Sequence, residues 1–599
     1  MDKSETKICQ NCNKEFTIDA SDFEFYAKIK VPAPTFCPEC RMIRRMMFRN
    51  ERAWYKRTCD LCHQNIISLY PSNTPFPVYC QKCWFSDKWD MLNYGKDYDF
   101  NKQFFEQFKE LIKDFPRISL ENDSPETLIN SEYCNDSWDV KDCYLCITAG
   151  GGAENLMYCD VGVIHTKDCC DSTWIIRSTN CYWCIDCYDS YNVHFSQNVN
   201  NCLDSYFLFD CRNCFNCFGC VGLRNKSYYF FNKPYTKEEY FNKIKSLNLS
   251  SYQNILNIKK EFEKHKLNLP HRYALLTGCQ NVVGNNVRFS KNCFSCFDAE
   301  SDIENSKYIV YAGLGLKDSY DVFNAGTNSE LFYESISVGY NCSRLFFSNF
   351  IWYDGLNISY SQFCKYSSSL FGCVGLRNKQ YCILNKQYTK EEYEQLVPKI
   401  IEHMNSMPYI DKKGRVYKYG EFFPPELSPF CYNETIAQEY FPLTKEQALE
   451  QGYSWKDSEE RNLKIDIKTE DLPDHIKDVK DDIINKIIEC QHQGKCNEQC
   501  TEAFKIIPQE LEFYRKMNLP LPRLCPNCRH YQRLKQRNPL KLWKRKCQCN
   551  GEKSSNGVYQ NTIQHLHGNE SCPNEFETTY APDRKEIVYC EKCYLAEVV

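Results

Sequence analysis

Two stretches of the chain, residues 218–240 and 371–393, have nearly the same sequence. The first reads FGCVGLRNKSYYFFNKPYTKEEY and the second FGCVGLRNKQYCILNKQYTKEEY, without a gap and at a constant offset of 153 positions. A match of this length indicates the duplication of a structural unit. Each copy ends a segment rich in cysteine, asparagine and aromatic residues, so the middle of the chain is predicted to contain two similar halves.

Short β-prone runs begin near residue 133 and recur roughly every ten to fifteen residues, with Asn-Cys or Asp-Cys at the corners. Such runs favour a parallel β-solenoid, whose rungs stack like side chains on one another, and an ordinary β-sandwich is the alternative. Thr236 with Glu239, and Thr389 with Glu392, form capping boxes that predict a helix after each half. The predicted fold class is mainly β with α, a duplicated Cys-rich parallel β-solenoid flanked by treble-clef or zinc-ribbon modules.

The composition of the chain predicts its cellular compartment and limits the kinds of partner it can bind. The chain has 599 residues and 40 cysteines, and its polar N-terminus and lack of a long apolar run predict neither a signal peptide nor a membrane span. We therefore expect a cytoplasmic protein whose paired cysteines bind metal rather than form disulfides. The formal charge of -4 excludes a globally basic nucleic-acid coat protein.

Two pairs of CxxC motifs occupy the first part of the chain. The paired motifs are separated by 24 residues in the first site and by 17 in the second. Four thiolates suit tetrahedral zinc and leave no ligand position open for water. The predicted ligands are Cys9, Cys12, Cys37 and Cys40 at the first site, and Cys59, Cys62, Cys80 and Cys83 at the second.

This region resembles the treble-clef family of small zinc-binding domains over about forty residues. The resemblance rests on an F…EFY segment followed by a proline-led CPxCR, formed here by Phe16, Glu24, Phe25, Tyr26, Pro34, Cys37, Pro38, Cys40 and Arg41. It implies a fold in which the second CxxC motif opens a helix, and it implies no reaction.

The end of the chain repeats the beginning. Residues 504–547 align with residues 16–59 at an offset of 488 positions, so that Cys525, Cys528 and Cys547 take the places of Cys37, Cys40 and Cys59. Cys500 matches Cys12, but Asn497 stands where Cys9 would be. We expect Cys496 to be the fourth ligand of this third site, with Cys490 in reserve.

The fourth site departs further from the pattern. Its predicted ligands are Cys547, Cys549, Cys590 and Cys593, and an insertion before Cys590 carries His565, His567 and Cys572. Whether any of these three replaces a predicted ligand stays open. The prediction for the whole chain is about four structural Zn²⁺ ions, two at each end.

A basic stripe follows the CPxCR motif at each end of the chain. Its arginines recur at steps of four, which would align them on one helix face that could bind phosphates. The alternative is that these arginines form an ordinary solvent-exposed helix face. The predicted nucleic-acid-binding residues are Arg41, Arg45, Arg49, Arg529, Arg533 and Arg537.

The run DCRNCFNCFGC places Cys211, Cys214, Cys217 and Cys220 at intervals of three. An iron–sulfur site is not favoured, because a ferredoxin-type run ends in a longer spacing followed by proline. In the second copy Ser367 and Leu370 replace two of these cysteines. We expect stacked core thiols here.

The predicted function is a non-enzymatic zinc-binding scaffold that binds nucleic acid or a ribonucleoprotein. A protein–protein scaffold is the alternative and a thiol-redox protein the third, since no Walker loop, HExxH or GxSxG motif occurs. The whole chain resembles large uncharacterised zinc-ribbon proteins of small-genome uncultivated bacteria, which implies no known activity. RNA, DNA or protein partners are expected, no membrane partner is expected, and the oligomeric state is open.

The predicted segments are 1–92 (double zinc-ribbon module), 93–132 (helical connector), 133–240 (first solenoid half), 241–287 (helical connector), 288–407 (second solenoid half), 408–482 (irregular segment and acidic linker) and 483–599 (second double zinc-ribbon module).

Overall fold

A computed structural model describes residues 4–299, 301–311, 313–324, 326–457 and 463–598 of the chain. Within these residues, no helix is both long enough and apolar enough to cross a membrane. The α-helices, in chain order, are α1 (Ala20–Ile29), α2 (Pro38–Met46), α3 (Gln81–Trp84), α4 (Phe104–Asp114), α5 (Lys237–Ser246), α6 (Tyr252–Leu267), α7 (Lys390–Ser406), α8 (Ile436–Tyr440), α9 (Lys445–Glu450), α10 (Pro508–Lys516), α11 (Pro526–Leu534) and α12 (Glu591–Val598). Short 3-10 helices lie at Met91–Tyr94, Pro125–Thr127, Pro425–Leu427, Tyr432–Glu434, Thr469–Asp471, Ile476–Asp478 and Asp481–Asn485.

The chain forms two compact units, each built from two separate segments. Unit 1 comprises Met1–Leu120 and Ala274–Asp457, and unit 2 comprises Glu121–Tyr273 and Ser458–Val599. The N-terminal cysteine module (residues 4–92) therefore belongs to the same unit as the second repeated half. The C-terminal module (residues 483–598) belongs with the first half.

Unit 2 contains a stack of short parallel strands, here called the unit 2 stack (residues 128–230). Thr173 lies opposite Ile185, and Ile185 lies opposite Gln197, so each turn of the chain takes 12 residues. The strands of unit 2 are Leu128–Ile129, Val140–Lys141, Ile147–Gly150, Ala153–Met157, Asp160–Ile164, Lys167–Cys170, Thr173–Ile176, Ile185–Tyr188, Tyr191–His194, Gln197–Asn200, Leu203–Tyr206, Tyr229–Phe230, Lys233–Pro234, Pro270–Arg272, Ile488–Glu489, Ala503–Phe504, Trp543–Lys546, Cys549–Asn550, Lys553–Ser554, Glu575–Thr578 and Ile587–Tyr589.

A three-residue period shapes the unit 2 stack. Every third residue from His165 to Phe231 has a positive φ, and many of these corner residues are Asn or Asp, which tolerate the left-handed region best among non-glycine residues. From Cys169 to Cys220 the residue after each corner is buried and is Cys, Ser, Val, Leu or Ile. A 12-residue turn encloses only a narrow interior, so small side chains fill it.

Inward-facing serines and outward-facing asparagines link successive turns. The Ser172 hydroxyl accepts the backbone N–H of Cys184 at 3.1 Å, one turn later. On the outside, the Asn201 amide donates to Asn213, which donates to Asn225, both at 2.9 Å. Like side chains therefore lie over one another from turn to turn.

Unit 1 contains the corresponding unit 1 stack (residues 276–383). Ser343 lies opposite Leu356, a step of 13 residues, and Leu356 lies opposite Ser368, a step of 12. A strand-rich fold with parallel sheets in both halves is confirmed. The strands of unit 1 are Glu5–Ile8, Glu15–Ile18, Tyr55–Thr58, Asn65–Ser68, Val78–Tyr79, Arg117–Ile118, Leu276–Thr277, Gln280–Arg288, Lys291–Ala299, Glu304–Lys307, Leu316–Lys317, Tyr320–Val322, Ser329–Ser335, Ser343–Phe346, Leu356–Ser359, Ser368–Phe371, Gln380–Ile383, Lys386–Gln387, Tyr409–Ile410 and Val416–Tyr417.

The duplicated sequence closes each stack in the same way. The Asn232 side chain bonds both the N–H and the C=O of Val221, and Asn385 does the same with Val374. Helices α5 and α7 follow, each with the predicted capping box. Two helices, α5 and α6, lie next to and within the predicted helical connector at 241–287, and the turn at 248–251 separates them.

Candidate metal centres

Each cysteine module contains two sites with one common framework. An antiparallel strand pair carries the first two cysteines between its strands, and the third cysteine directly precedes a helix. Ligand atoms lie within 4.8 Å of one another in the groups Cys9, Cys12, Cys37 and Cys40; Cys59, Cys62, Cys80 and Cys83; Cys490, Cys500, Cys525 and Cys528; and Cys547, Cys572, Cys590 and Cys593.

One hydrogen bond recurs in all four groups. The backbone N–H of the third cysteine donates to the sulfur of the first, and the nitrogen–sulfur distances are 3.2 or 3.3 Å. N–H groups aimed at a sulfur stabilise its thiolate form. The donor and acceptor pairs are Cys37 and Cys9, Cys80 and Cys59, Cys525 and Cys490, and Cys590 and Cys547.

A second recurring hydrogen bond identifies the second cysteine of each group. The N–H of the first cysteine donates to a carbonyl two residues after the second cysteine: Cys9 to Lys14, Cys59 to Gln64, Cys490 to Glu502 and Cys547 to Asn574. Cys12, Cys62, Cys500 and Cys572 are therefore equivalent. The chain between first and second cysteine differs greatly in length, but both ends are held alike.

The sulfur spacing suits a tetrahedral metal. Measured sulfur–sulfur distances are 3.8 Å for Cys12 and Cys37, 3.8 Å for Cys62 and Cys80, and 3.9 Å for Cys572 and Cys590. A tetrahedron of Zn–S bonds of about 2.3 Å has sulfur–sulfur edges of about 3.8 Å. These three distances match the edges expected around a metal ion of zinc's size.

Each group also favours one thiolate. A hydrogen bond from Cys37 lowers the pKa of Cys9, and bonds from Cys490 and Cys547 lower the pKa values of Cys525 and Cys590. Burial works to raise the pKa of Cys59, but backbone N–H groups lower it to about 7. In each group one cysteine therefore has a pKa below that of an ordinary thiol.

The third group corrects the sequence prediction. Cys490, not Cys496, occupies the position of Cys9, as both recurring bonds show. Cys496 remains nearby as a fifth thiol, with its sulfur 3.7 Å from that of Cys528. The gapless alignment missed this because ten positions, rather than three, separate Cys490 from Cys500.

The fourth group is also corrected. Cys572 takes the position assigned to Cys549, since the insertion lies inside the first cysteine pair and ends at Cys572. Cys549 instead joins His565, His567 and Cys593 in a second group within 4.8 Å. The two histidines therefore lie beside Cys593, within ligand distance of the cysteines.

The arginine stripe of unit 1 is buried, which overturns its assignment to nucleic acid. Arg41, Arg45 and Arg49 are at most 2% exposed. Arg41 lies 2.8 Å from Asp321, and Arg45 lies 2.9 Å from Glu334. Burial disfavours the charged guanidinium, but Asp321 and neighbouring groups keep the pKa of Arg41 well above its ordinary value.

Unit 2 repeats this arrangement with different partners. Arg529 and Arg533 of α11 both bind Asp171, at 2.5 and 3.0 Å, and Arg533 also lies 3.1 Å from Asp160. Arg537 lies 3.3 Å from Asp186, and their side chains are 8% and 7% exposed. These cations face carboxylates of the unit 2 stack and present no surface to phosphate.

The carboxylates that bind these arginines carry no recognisable signal in the sequence. Asp171, Asp321 and Glu334 sit at corners of the stacks with φ values of 50°, 57° and 45°. A corner Asp in a β-rich segment is normally read as a solvent-facing turn residue, so its sequence gave no signal of burial. The further partners are Asp160, Asp186 and Glu510.

The Cys211–Cys220 run lies in the core of the unit 2 stack, as predicted. All four side chains are 0% exposed. The Cys211 sulfur lies 3.5 Å from the carbonyl oxygens of Phe209 and Cys220, and the other three repeat this pattern with their own neighbours. The thiols are positioned to donate to backbone carbonyls.

Comparisons with known proteins show no family for this chain. Neither the protein-family comparison nor the comparison with curated proteins found a match. Among solved structures, a crystal structure described as that of an acetyltransferase from Desulfovibrio desulfuricans G20 matches at 10% identity, covering 49% of this chain and 86% of that chain with a TM-score of 0.10.

Proposed function

We propose that the protein is a non-enzymatic scaffold in which structural zinc ions hold the terminal modules against the strand stacks. The observation that carries this proposal is the fourfold recurrence of one four-thiol group with the same supporting hydrogen bonds. In this proposal each stack is a short β-solenoid whose outer surface is presented to a partner.

The ligand type favours a structural role. Four soft thiolates saturate tetrahedral zinc and leave no coordination position for water or substrate, whereas catalytic zinc keeps one position open. The groups are also mostly buried, with at most two of the four cysteines partly exposed. Metal at these positions would fix local structure.

The helices after the third cysteine extend this role beyond the metal. In unit 1, α2 begins immediately after Cys37, and its arginines reach Asp321 and Glu334 of the unit 1 stack. In unit 2, α11 begins after Cys525 and reaches Asp171 and Asp160. The metal fixes the start of each helix, and the buried ion pairs fix where the helix lies.

The burial of these arginines changes the order of the two partner hypotheses. They were the main argument for nucleic acid, and paired cations at most 8% exposed cannot meet phosphates. With a formal net charge of -4, a protein partner is the better supported choice. We therefore place the protein–protein scaffold before nucleic-acid binding.

Metal analysis of the full chain tests the structural role. We expect zinc in at least one equivalent for each of the four thiol groups, and we expect Cys525→Ser to remove one equivalent. Cys217→Ser is the matched control, because Cys217 is a core thiol and Ser205 holds the equivalent place one turn earlier. Zinc content unaffected by Cys525→Ser, or iron in place of zinc, would contradict the proposal.

Retention on mixed cellular RNA and DNA tests the partner class. We expect no retention at about 50 mM salt, where a protein that neutralises several phosphates would bind most strongly. Retention that falls steeply with increasing salt would restore the nucleic-acid hypothesis. It would also have to arise from residues other than the buried arginines.

A further inference from the structure

The last cysteine site of unit 2 contains more ligands than one metal can use. Cys593 belongs both to the four-thiol group with Cys547, Cys572 and Cys590 and to the group with Cys549, His565 and His567. We infer that this site binds two zinc-like divalent cations, with the Cys593 thiolate shared between them.

The number of donors fits this arrangement. Two four-coordinate metals that share one ligand need seven donor atoms, and the two groups together supply five sulfur and two nitrogen atoms. Charge points the same way. Five thiolates around one divalent cation leave a net charge of about -3 in a mostly buried site, and a second cation reduces it to about -1.

The histidines are oriented as metal ligands. His567 Nδ1 lies 2.7 Å from the carbonyl of Glu570, a geometry in which Nδ1–H donates and leaves the Nε2 lone pair free. That Nε2 is 3.4 Å from the Cys593 sulfur. A metal-binding histidine commonly donates its other N–H to a backbone carbonyl in this way.

His565 shows the carboxylate version of the same arrangement. Its Nε2 lies 2.9 Å from Glu597, and the two side chains are 2% and 0% exposed. Donation from Nε2–H to the carboxylate leaves Nδ1 as the ligand atom. Glu597 follows Cys593 by one helical turn on α12, so one helix supplies both the shared sulfur and the orienting carboxylate.

The remaining ligand of the second metal, Cys549, is held in place by a residue of the insertion. The Asn561 amide donates to the Cys549 sulfur at 3.3 Å, and Asn561 also accepts from Tyr589 at 2.8 Å. The insertion between Cys547 and Cys572 therefore brings three new ligands, Cys549, His565 and His567, to Cys593. Because the second metal shares a ligand with the fourth thiol group, this inference rests on the proposed function.

Metal counting tests the second cation. We would compare the full-length chain with the double variant His565→Gln/His567→Gln and with the control His475→Gln, whose imidazole contacts Ser250 and Asp474. The wild type and the control are expected to hold five zinc ions per chain and the double variant four. Equal content in all three proteins would overturn the inference. Four ions in each would leave the proposed function intact, whereas no zinc at all would refute both.

Cobalt substitution tests the shared thiolate. In protein grown with cobalt in place of zinc, two Co²⁺ ions joined by one sulfur are expected to couple magnetically, so the electron paramagnetic resonance intensity per cobalt should be lower than in the double variant. Cys549→Ser, with unchanged far-ultraviolet circular dichroism, should give the same rise in intensity. Identical intensity per cobalt in all these proteins would rule out the bridge.

Discussion

His194 is a titratable residue buried in the unit 2 stack. Its ring lies on that of Tyr206 with centroids 4.9 Å apart, and Tyr182 occupies the equivalent position one turn earlier. Phe218 and Phe230 continue this aromatic column. Burial lowers the pKa of His194 to about 4. The imidazole is therefore neutral in the folded chain at neutral pH.

His194→Phe should make the stability of unit 2 less sensitive to acid. The unfolded state takes up a proton on His194 near pH 6.5 and the folded state only near pH 4, so folding stability falls as pH drops through that window, by roughly 1.4 kcal/mol per unit. Urea midpoints at pH 7 and pH 5 should therefore differ less in the variant than in the wild type. Parallel losses in both proteins would contradict the expectation.

Asp171→Asn should destabilise unit 2 strongly. Its carboxylate binds Arg529 and Arg533, all three side chains are at most 1% exposed, and removing one partner of a buried pair costs about 3–5 kcal/mol. Asp189→Asn is the control, because Asp189 is also a corner residue but its pair with Arg177 is about half exposed. That change should cost less than about 1 kcal/mol. Equal losses in chemical denaturation would show that the buried network is not strongly stabilising.

At the scale of the element, the two cysteines between the antiparallel strands tolerate insertion without losing their geometry. Three positions separate Cys9 from Cys12, ten separate Cys490 from Cys500, and 25 separate Cys547 from Cys572. The same two hydrogen bonds, each donated by a backbone N–H group, occur in all three of these groups. The strand pairing and the helix start fix the ligands, so the intervening chain is free to add new ones.

Cys490→Ser and Cys496→Ser should therefore differ. We expect the first change to remove the metal of the third group and to unfold its surroundings, since a structural zinc can contribute on the order of 10 kcal/mol of apparent folding free energy. The second change should leave the metal in place. Metal content of the two purified variants decides the matter, and the reverse result would favour Cys496 as the ligand.

At the scale of the whole molecule, each unit joins segments far apart in the chain. Arg41 pairs with Asp321 in unit 1, and Asp171 pairs with Arg529 in unit 2. Contacts this distant in sequence form late and slowly, because long loops must close first. The metal sites and stacks are more local, so we expect them to form before the modules pack on them.

Cysteine alkylation should separate the two classes of thiol across both units. None of the 40 cysteines forms a disulfide, and burial raises the pKa values of core thiols such as Cys146 and Cys211. Since alkylation needs an accessible thiolate, chelator in native buffer should expose the cysteines of the metal groups to iodoacetamide and leave the buried cysteines of the two stacks unlabelled, as mapped by mass spectrometry. Core labelling without denaturant would indicate that the stacks depend on metal.

The sequence alone determined the features that depend on local chemistry. The duplicated ends of the stacks, the capping boxes of α5 and α7, the two N-terminal cysteine groups and the core position of Cys211–Cys220 all follow from short-range patterns. The three-residue interval of those cysteines was itself the period of the fold. The same three-residue period also covers the serines and valines that occupy equivalent inward positions.

Only the tertiary structure decided which segments pack together. The pairing of each module with its stack, and hence the burial of Arg41 and Arg529, depends on carboxylates hundreds of positions away. An arginine stripe has the same sequence whether it faces phosphate, water or a buried Asp. The choice of Cys490 and Cys572 likewise depended on insertions, because metal ligands are selected by distance in space and not by spacing along the chain.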